Sequence, residues 1–160
     1  MSFRIEVSIS KQTLTVYDQE TIIKQYSVST AKNGPGELMG SECTPRGQHY
    51  VRAKIGEGCA NNSVFVGRRA TGEIFTSALK TKHPNRDWIL TRILWLCGKE
   101  PGKNRFGKFD TQRRYIYIHG CPDEDVMGIP SSHGCIKMRN QDVIELFDLI
   151  PNQTIVNIIE

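Results

Sequence analysis

Ser131-Ser132-His133-Gly134-Cys135-Ile136-Lys137-Met138, with Tyr115-Ile116-Tyr117-Ile118-His119-Gly120-Cys121 upstream of it, is the stretch that decides how this chain is read. Residues 115–119 combine aromatic and β-branched side chains, which predicts a strand ending at His119. The interval from Pro122 to Pro130 is polar and carries turn residues at both ends, so it predicts a returning loop. A strand, a returning loop and a second short segment bring His119 beside Cys135. A thiol, an imidazole within its reach and a glycine that admits another backbone are the parts of a cysteine nucleophile site. His133 is the other candidate base. Residues two apart on an extended segment carry side chains roughly 7 Å apart, too far for a direct hydrogen bond to the thiol. Sequence does not settle the choice, but the spacing favours His119. A free cysteine titrates near ~8.5, so a base or a positive field is needed, and Lys137 offers the field. The N–H groups of Gly134 and Cys135 are candidates for an oxyanion hole.

Working outward, 160 residues and 18.1 kDa predict a single domain, 1–160, large enough to bury a core. Hydrophobic residues at 38% and charged residues at 24% exclude neither water nor folding, and the apolar runs fall far short of the ~20 residues of a membrane-spanning helix. The net charge of +4 is a small excess. The basic stretch Lys99, Lys103, Arg105, Lys108, Arg113 and Arg114 lacks the dense stripe of a nucleic-acid binder. It reads either as a solvated loop or as a lid that binds carboxylates. Five cysteines, an odd number without compact spacing, do not form a secreted disulfide scaffold. The first twenty residues show no leader pattern, so a cytoplasmic protein with reduced thiols is expected, or a periplasmic one if a leader has been removed.

Along the rest of the chain, Phe3, Ile5, Val7 and Ile9 alternate onto one face of a strand. Turns at Ser10-Lys11-Gln12 and Asp18-Gln19-Glu20 then predict an antiparallel meander whose third strand is 22–29. Residues 31–47 form a long loop, and strands resume at 48–54, 63–66 and 73–75. His49 and His83, among polar neighbours, are expected at the surface. The dense apolar run 87–97 is taken as a strand, and 98–114 as a loop. Val143, Ile144, Leu146, Phe147 and Ile150 recur at helical spacing behind Asn140, a suitable N-cap, before a last strand 154–159. The fold class is mainly β, a sandwich or partly open barrel with one or two short helices.

With Thr44-Pro45-Arg46-Gly47, His119-Gly120 and Ser132-His133-Gly134-Cys135-Ile136-Lys137-Met138 in place, the chain resembles the L,D-transpeptidase catalytic domain (YkuD) family along nearly its whole length. The resemblance implies a cysteine enzyme acting on peptidoglycan tetrapeptide stems or muropeptides. The bond attacked joins the L-centre of residue three to the terminal D-alanine. By that likeness Cys135 is the nucleophile, His119 the base and the Gly120 carbonyl its orienting group. Ser132, His133 and Gly134 shape the pocket, while Lys137, Tyr117 and Arg105 meet substrate. Cys121 becomes a bystander. Lys137 stands where the family often has Arg, which keeps the charge but loses the planar fork, and the loop 120–131 is short for the family. No cofactor or metal is implied, and carbapenem-type β-lactams join the expected ligands. Without a leader, water is the favoured acceptor, giving an L,D-carboxypeptidase on soluble muropeptides; an amine acceptor would instead give cross-links. Two readings of another kind stand beside these: a zinc site on His119, Cys121, His133 and Cys135, and a domain that only binds wall fragments.

Overall fold

The computed structural model describes residues 2–160. Strands β1 (Phe3–Ser8), β2 (Thr13–Asp18) and β3 (Thr21–Ser29) form the expected antiparallel meander. They are followed by β4 (Gly47–Ile55), β5 (Ser63–Val66), β6 (Arg69–Ile74), helix α1 (Ser77–Lys82) and β7 (Ile89–Gly98). The chain ends through β8 (Tyr117–Gly120), β9 (Ile136–Met138), helix α2 (Asn140–Leu149) and β10 (Ile155–Ile159).

The ladder runs β4-β10-β1-β2-β3-β9-β8-β7, and an additional β4–β7 pairing closes it into a ring, while β5 and β6 extend from the other half of β7's edge. The sheet is therefore a closed barrel rather than a partly open one. Closure removes the free edges that an open sheet would expose. Alternation fills the interior: Ile5, Val7, Leu14, Val16, Leu94, Leu96, Ile118 and Ile136 are all buried in one apolar cluster. The helical-period face of α2, Val143, Leu146, Phe147 and Ile150, packs into the same cluster.

Several expectations need correction. Strand β6 begins at Arg69 rather than Glu73, because a two-residue turn follows Val66 directly. Helix α1 has no fully buried side chain and only Leu79 packs against the Val64, Trp88 and Leu90 cluster, so it carries no amphipathic signal. Strand β8 begins at Tyr117, since Tyr115 has φ +56° and breaks the extended run. Asn140 does not cap α2: Arg139 occupies that position, and Asn140 turns its side chain inward. His49 is not at the surface. It is fully buried on β4, bonded to Gly47 O and Thr111 Oγ1, both at 2.9 Å, and desolvation depresses its pKa from the usual 6.5 to about 4.

Candidate active site

Strands β8 and β9 run side by side and parallel, with Ile118 opposite Ile136 and His119 opposite Lys137. Ile118 and Ile136 point into the barrel core. The two-residue period of a strand then sends Tyr117, His119, Cys135 and Lys137 to the opposite face. That face belongs to a second apolar cluster of Phe65, Ile93 and Tyr117, against which Cys135 packs. His119 and Cys135 are thus diagonal neighbours on adjacent strands, roughly 7–8 Å apart at the backbone, a gap within reach of an aromatic side chain. Both line one cavity of about 380 Å³, together with Arg68, Asp87, Arg114 and Tyr115.

The imidazole is held tightly. His119 is buried, and its Nδ1 lies 2.6 Å from Gly120 O. A carbonyl only accepts, so Nδ1 carries the hydrogen and Nε2 keeps its lone pair. Desolvation lowers the imidazole's pKa, which keeps it neutral near pH 7. Gly120 admits no side chain: a Cβ there would lie 2.4 Å from Asn140 Oδ1 and 2.6 Å from Leu90 O. Behind it, Asn140 Nδ2 donates to Cys121 O at 2.9 Å, Asn62 Oδ1 at 3.0 Å and Asp123 Oδ1 at 3.1 Å. Its Oδ1 accepts from Thr91 Oγ1 at 2.7 Å. Thr91 sits in a bulge of β7 with φ +75°, a costly conformation for a β-branched residue, and the bulge brings its hydroxyl to Asn140.

The thiol is half-buried, and burial pushes its pKa up to about 12. Its S–H donates to Tyr115 O at 3.4 Å, while the Tyr117 N–H donates to Sγ at 3.2 Å and the Arg114 charge favours ionisation. At rest the thiol is neutral and bonded to Tyr115 O rather than to His119, and the imidazole is neutral as well. Arg114 is anchored by Gly36 O, Ser41 Oγ and, at 2.6 Å, Cys43 O. Its field on the thiol replaces the one expected from Lys137, whose Nζ is bound to Asp125 at 2.9 Å and whose charge falls on His119 and Cys121.

The remaining residues divide. Thr44 Oγ1 donates to Gly134 O at 2.9 Å and accepts from Ala31 N at 3.0 Å, pinning the loop that carries Cys135. Ser132 Oγ donates to Cys135 O and accepts from Gly134 N at 3.2 Å. The Gly134 N–H is thereby engaged and is not a free oxyanion donor in this conformation. Gly134 has φ +130°, and a Cβ there would approach Cys43 O to 3.1 Å. His133 is exposed and lies where the thiol's cavity meets a second one of about 410 Å³, which Asp87, Asp125 and Lys137 also line. Arg105 lies outside both cavities, stacked on Phe106, because the loop 98–114 folds onto its own Asn104 and Asp110. Only Arg114 of that basic stretch reaches the thiol's cavity. Cys121 is buried with its S–H on Met138 O at 3.3 Å and lines neither cavity. Among the described residues no group of three or more His, Cys, Asp and Glu is placed to hold a metal ion, so the four residues of the zinc reading do not converge. No described helix is long and apolar enough to cross a membrane. Arg114 belongs to the basic stretch read from sequence as a solvated loop or a carboxylate-binding lid, whereas Arg68 and Asp87 carry no site signal in the sequence beyond the Gly67-Arg68 turn.

A thiol and an oriented neutral imidazole on one face of adjacent parallel strands, opening on one cavity of a closed β-barrel, are the parts that a cysteine nucleophile site requires. The chain belongs to the YkuD family, the L,D-transpeptidase catalytic domain, which matches residues 2–158. It is 27% identical over 158 residues to YkuD of Bacillus licheniformis, which bears an L,D-transpeptidase name; the match takes in 98% of this chain and 65% of that protein. Among solved structures it resembles L,D-transpeptidase 3 from Mycobacterium tuberculosis in complex with a faropenem-derived adduct, with a TM-score of 0.61 at 16% identity, covering 99% of this chain and 60% of the other. An Enterococcus faecium L,D-transpeptidase, solved as a cysteine-to-serine mutant, gives a TM-score of 0.55 at 16% identity over 99% of this chain and 50% of that one. The chain thus spans less than two thirds of the length of these relatives.

Proposed function

We propose that this chain forms a thioester on Cys135 with the third residue of a peptidoglycan tetrapeptide stem, releasing the terminal D-alanine. The single observation that carries this reading is the same-face placement of Cys135 and His119 over one cavity, with Nε2 of the imidazole left free by the Gly120 bond. The step balances simply. His119 Nε2 takes the thiol proton as Sγ attacks the carbonyl, and the Tyr117 N–H steadies the charge on sulfur meanwhile. The C–N bond then breaks, the imidazolium returns its proton to the departing amine, and the thioester remains.

Water as acceptor makes the activity an L,D-carboxypeptidase acting on muropeptides, and His119 takes a proton from that water. The amine reading, cross-linking between stems, is favoured by one feature. The second cavity shares Asp87, Ser132 and His133 with the first, and although its Asp125 is paired with Lys137, Asp87 has no ion-pair partner among the described residues and faces the route by which an ammonium group would arrive. The faropenem-derived adduct on the mycobacterial relative supports β-lactams as acylating ligands of the Cys135 thiol. Incubating the protein with a tetrapeptide muropeptide, with and without a second stem bearing a free amine, and weighing the products tests the reading. Tripeptide plus D-alanine supports hydrolysis, a dimer supports transfer, and unchanged tetrapeptide in both mixtures refutes the proposal.

A further inference from the structure

Arg68 stands out on three counts that the site chemistry described so far does not use. It occupies the second position of the two-residue turn joining β5 to β6, with φ +65° after Gly67 at +56°. Such turns favour Asn, Asp or Gly at both central positions, so an arginine here is held against its local preference. Backbone strain of this kind is informative when the side chain it presents has a destination. This side chain has one. Its guanidinium lies over the rings of Trp95 at 4.9 Å and Tyr115 at 4.6 Å, and Nη1 donates to Tyr117 Oη at 3.0 Å. Tyr117 is the residue whose backbone N–H touches Cys135 Sγ, so the guanidinium sits one tyrosine side chain away from the reacting atom and lines the same cavity.

The third count is charge. Among the described residues no carboxylate pairs with Arg68, whereas most of the other arginine and lysine side chains held by hydrogen bonds in this fold have one. Arg114, the other cation at the cavity, spends its donors on Gly36 O, Ser41 Oγ and Cys43 O. Asp87, the acid of the same cavity, acts on Cys135 and His119 rather than on Arg68. A planar fork with five N–H donors, of which one is used, held over two aromatic rings, is a preorganised carboxylate receptor.

We infer that Arg68 binds a carboxylate of the acyl-donor peptide and thereby selects which peptides reach Cys135. This rests on the acyl-transfer reading above. Two carboxylates of a stem peptide share this chemistry. One is the terminal carboxylate of the leaving D-amino acid, two bonds beyond the scissile nitrogen; the other is a side-chain carboxylate on the third residue.

The test measures acylation of the full chain by intact mass and kcat/KM for D-amino acid release on three peptides. One has both carboxylates, one ends in an amide, and one carries L-lysine at residue three. Arg68→Asn suits the left-handed turn and removes the fork, and Arg68→Lys keeps the charge without the fork. The wild type is expected to favour the dicarboxylate over one of the two altered peptides by about 10- to 100-fold, the range of a charge-assisted hydrogen bond. Arg68→Asn should erase that preference by lowering kcat/KM on the two peptides that keep the bound carboxylate while leaving the third unchanged, and Arg68→Lys should fall between. The peptide whose disadvantage disappears identifies the carboxylate. Loss of activity by the same factor on all three peptides, or a preference left intact in Arg68→Asn, overturns the inference while leaving acyl transfer standing. A wild type that acylates readily but shows no preference does the same. A wild type that forms no adduct with any of the peptides overturns both.

Discussion

Replacing Asn140 separates two accounts of that residue by magnitude. As a helix N-cap, its loss to alanine would cost roughly 1 kcal/mol, and serine, an equally good cap, would restore it. The structure gives it a different task. Its amide joins the Thr91 hydroxyl of β7, the Cys121 carbonyl just after β8, and the side chains of Asn62 and Asp123, all within 3.1 Å. Removing it strands the buried Thr91 donor and the Cys121 carbonyl, each costing roughly 1–3 kcal/mol, with some recovery if water enters. About 3 kcal/mol is expected, which for a chain of this size lowers Tm by roughly 6–12 °C. Serine is too short to span these partners and should recover little of it. Because Asn140 Oδ1 also sits against the Gly120 backbone that orients His119, kcat/KM should fall by roughly tenfold or more in Asn140→Ala even where the protein is fully folded. Thermal unfolding of the wild type, Asn140→Ala and Asn140→Ser, followed by far-ultraviolet circular dichroism, reads the first quantity, and D-alanine release reads the second. A Tm shift under about 3 °C for alanine, or full rescue by serine, would refute the hub.

The buried His49 makes stability depend on acid. An ordinary histidine takes up a proton near pH 6.5, and His49 does so only near pH 4, so the unfolded chain binds more protons between those values. Stability contributed by this residue is complete above pH 6.5 and is lost as pH falls, reaching about 3 kcal/mol by pH 4. Urea unfolding of His49→Gln should show a flatter dependence over that window; an unchanged slope contradicts the burial. Activity follows the other histidine. Since burial lowers the His119 pKa and raises the Cys135 thiol to about 12, kcat/KM should climb with an apparent pKa below about 6.5 and stay level to beyond pH 9. A rising limb near pH 8 would show that the thiolate, not the neutral pair, is the reactive form. His119→Ala should reduce D-alanine release by roughly 10²- to 10⁴-fold and the exposed His133→Ala by less than about tenfold, with reversal exchanging their roles.

Much of the scaffold could be read from short-range pattern. Period-two alternation marked Ile5, Val7 and Ile9 as one face, and the structure buries all three in one cluster. The helical spacing of Val143, Leu146, Phe147 and Ile150 likewise matched the face that α2 buries. A strand and a returning loop marked the approach of His119 to Cys135, but not the parallel pairing of β8 with β9 that sets both on one face. Closure of the ring was not legible, because β10 slots between β1 and β4 from the far end of the chain and no local signal encodes that. Arg68, Asp87 and Arg114 meet at the cavity only through that closure and the β5–β6 extension of β7. Helix α1 was invisible because a six-residue helix with Leu79 as its one apolar contact leaves no periodic trace. His49 misled for the opposite reason: its polar neighbours on the strand face outward, while its own partners, Gly47 O and Thr111 Oγ1, are not adjacent polar side chains in sequence.

Mass spectrometry of the acyl-enzyme tests the central claim most directly. The protein is mixed with a tetrapeptide stem, quenched in acid within seconds, digested and mapped. The account predicts a mass gain equal to the stem lacking its terminal D-alanine, carried on the peptide that contains Cys135, present in Cys121→Ala and absent in Cys135→Ala. An adduct on the peptide containing Cys121, or D-alanine release that persists in Cys135→Ala, would contradict it.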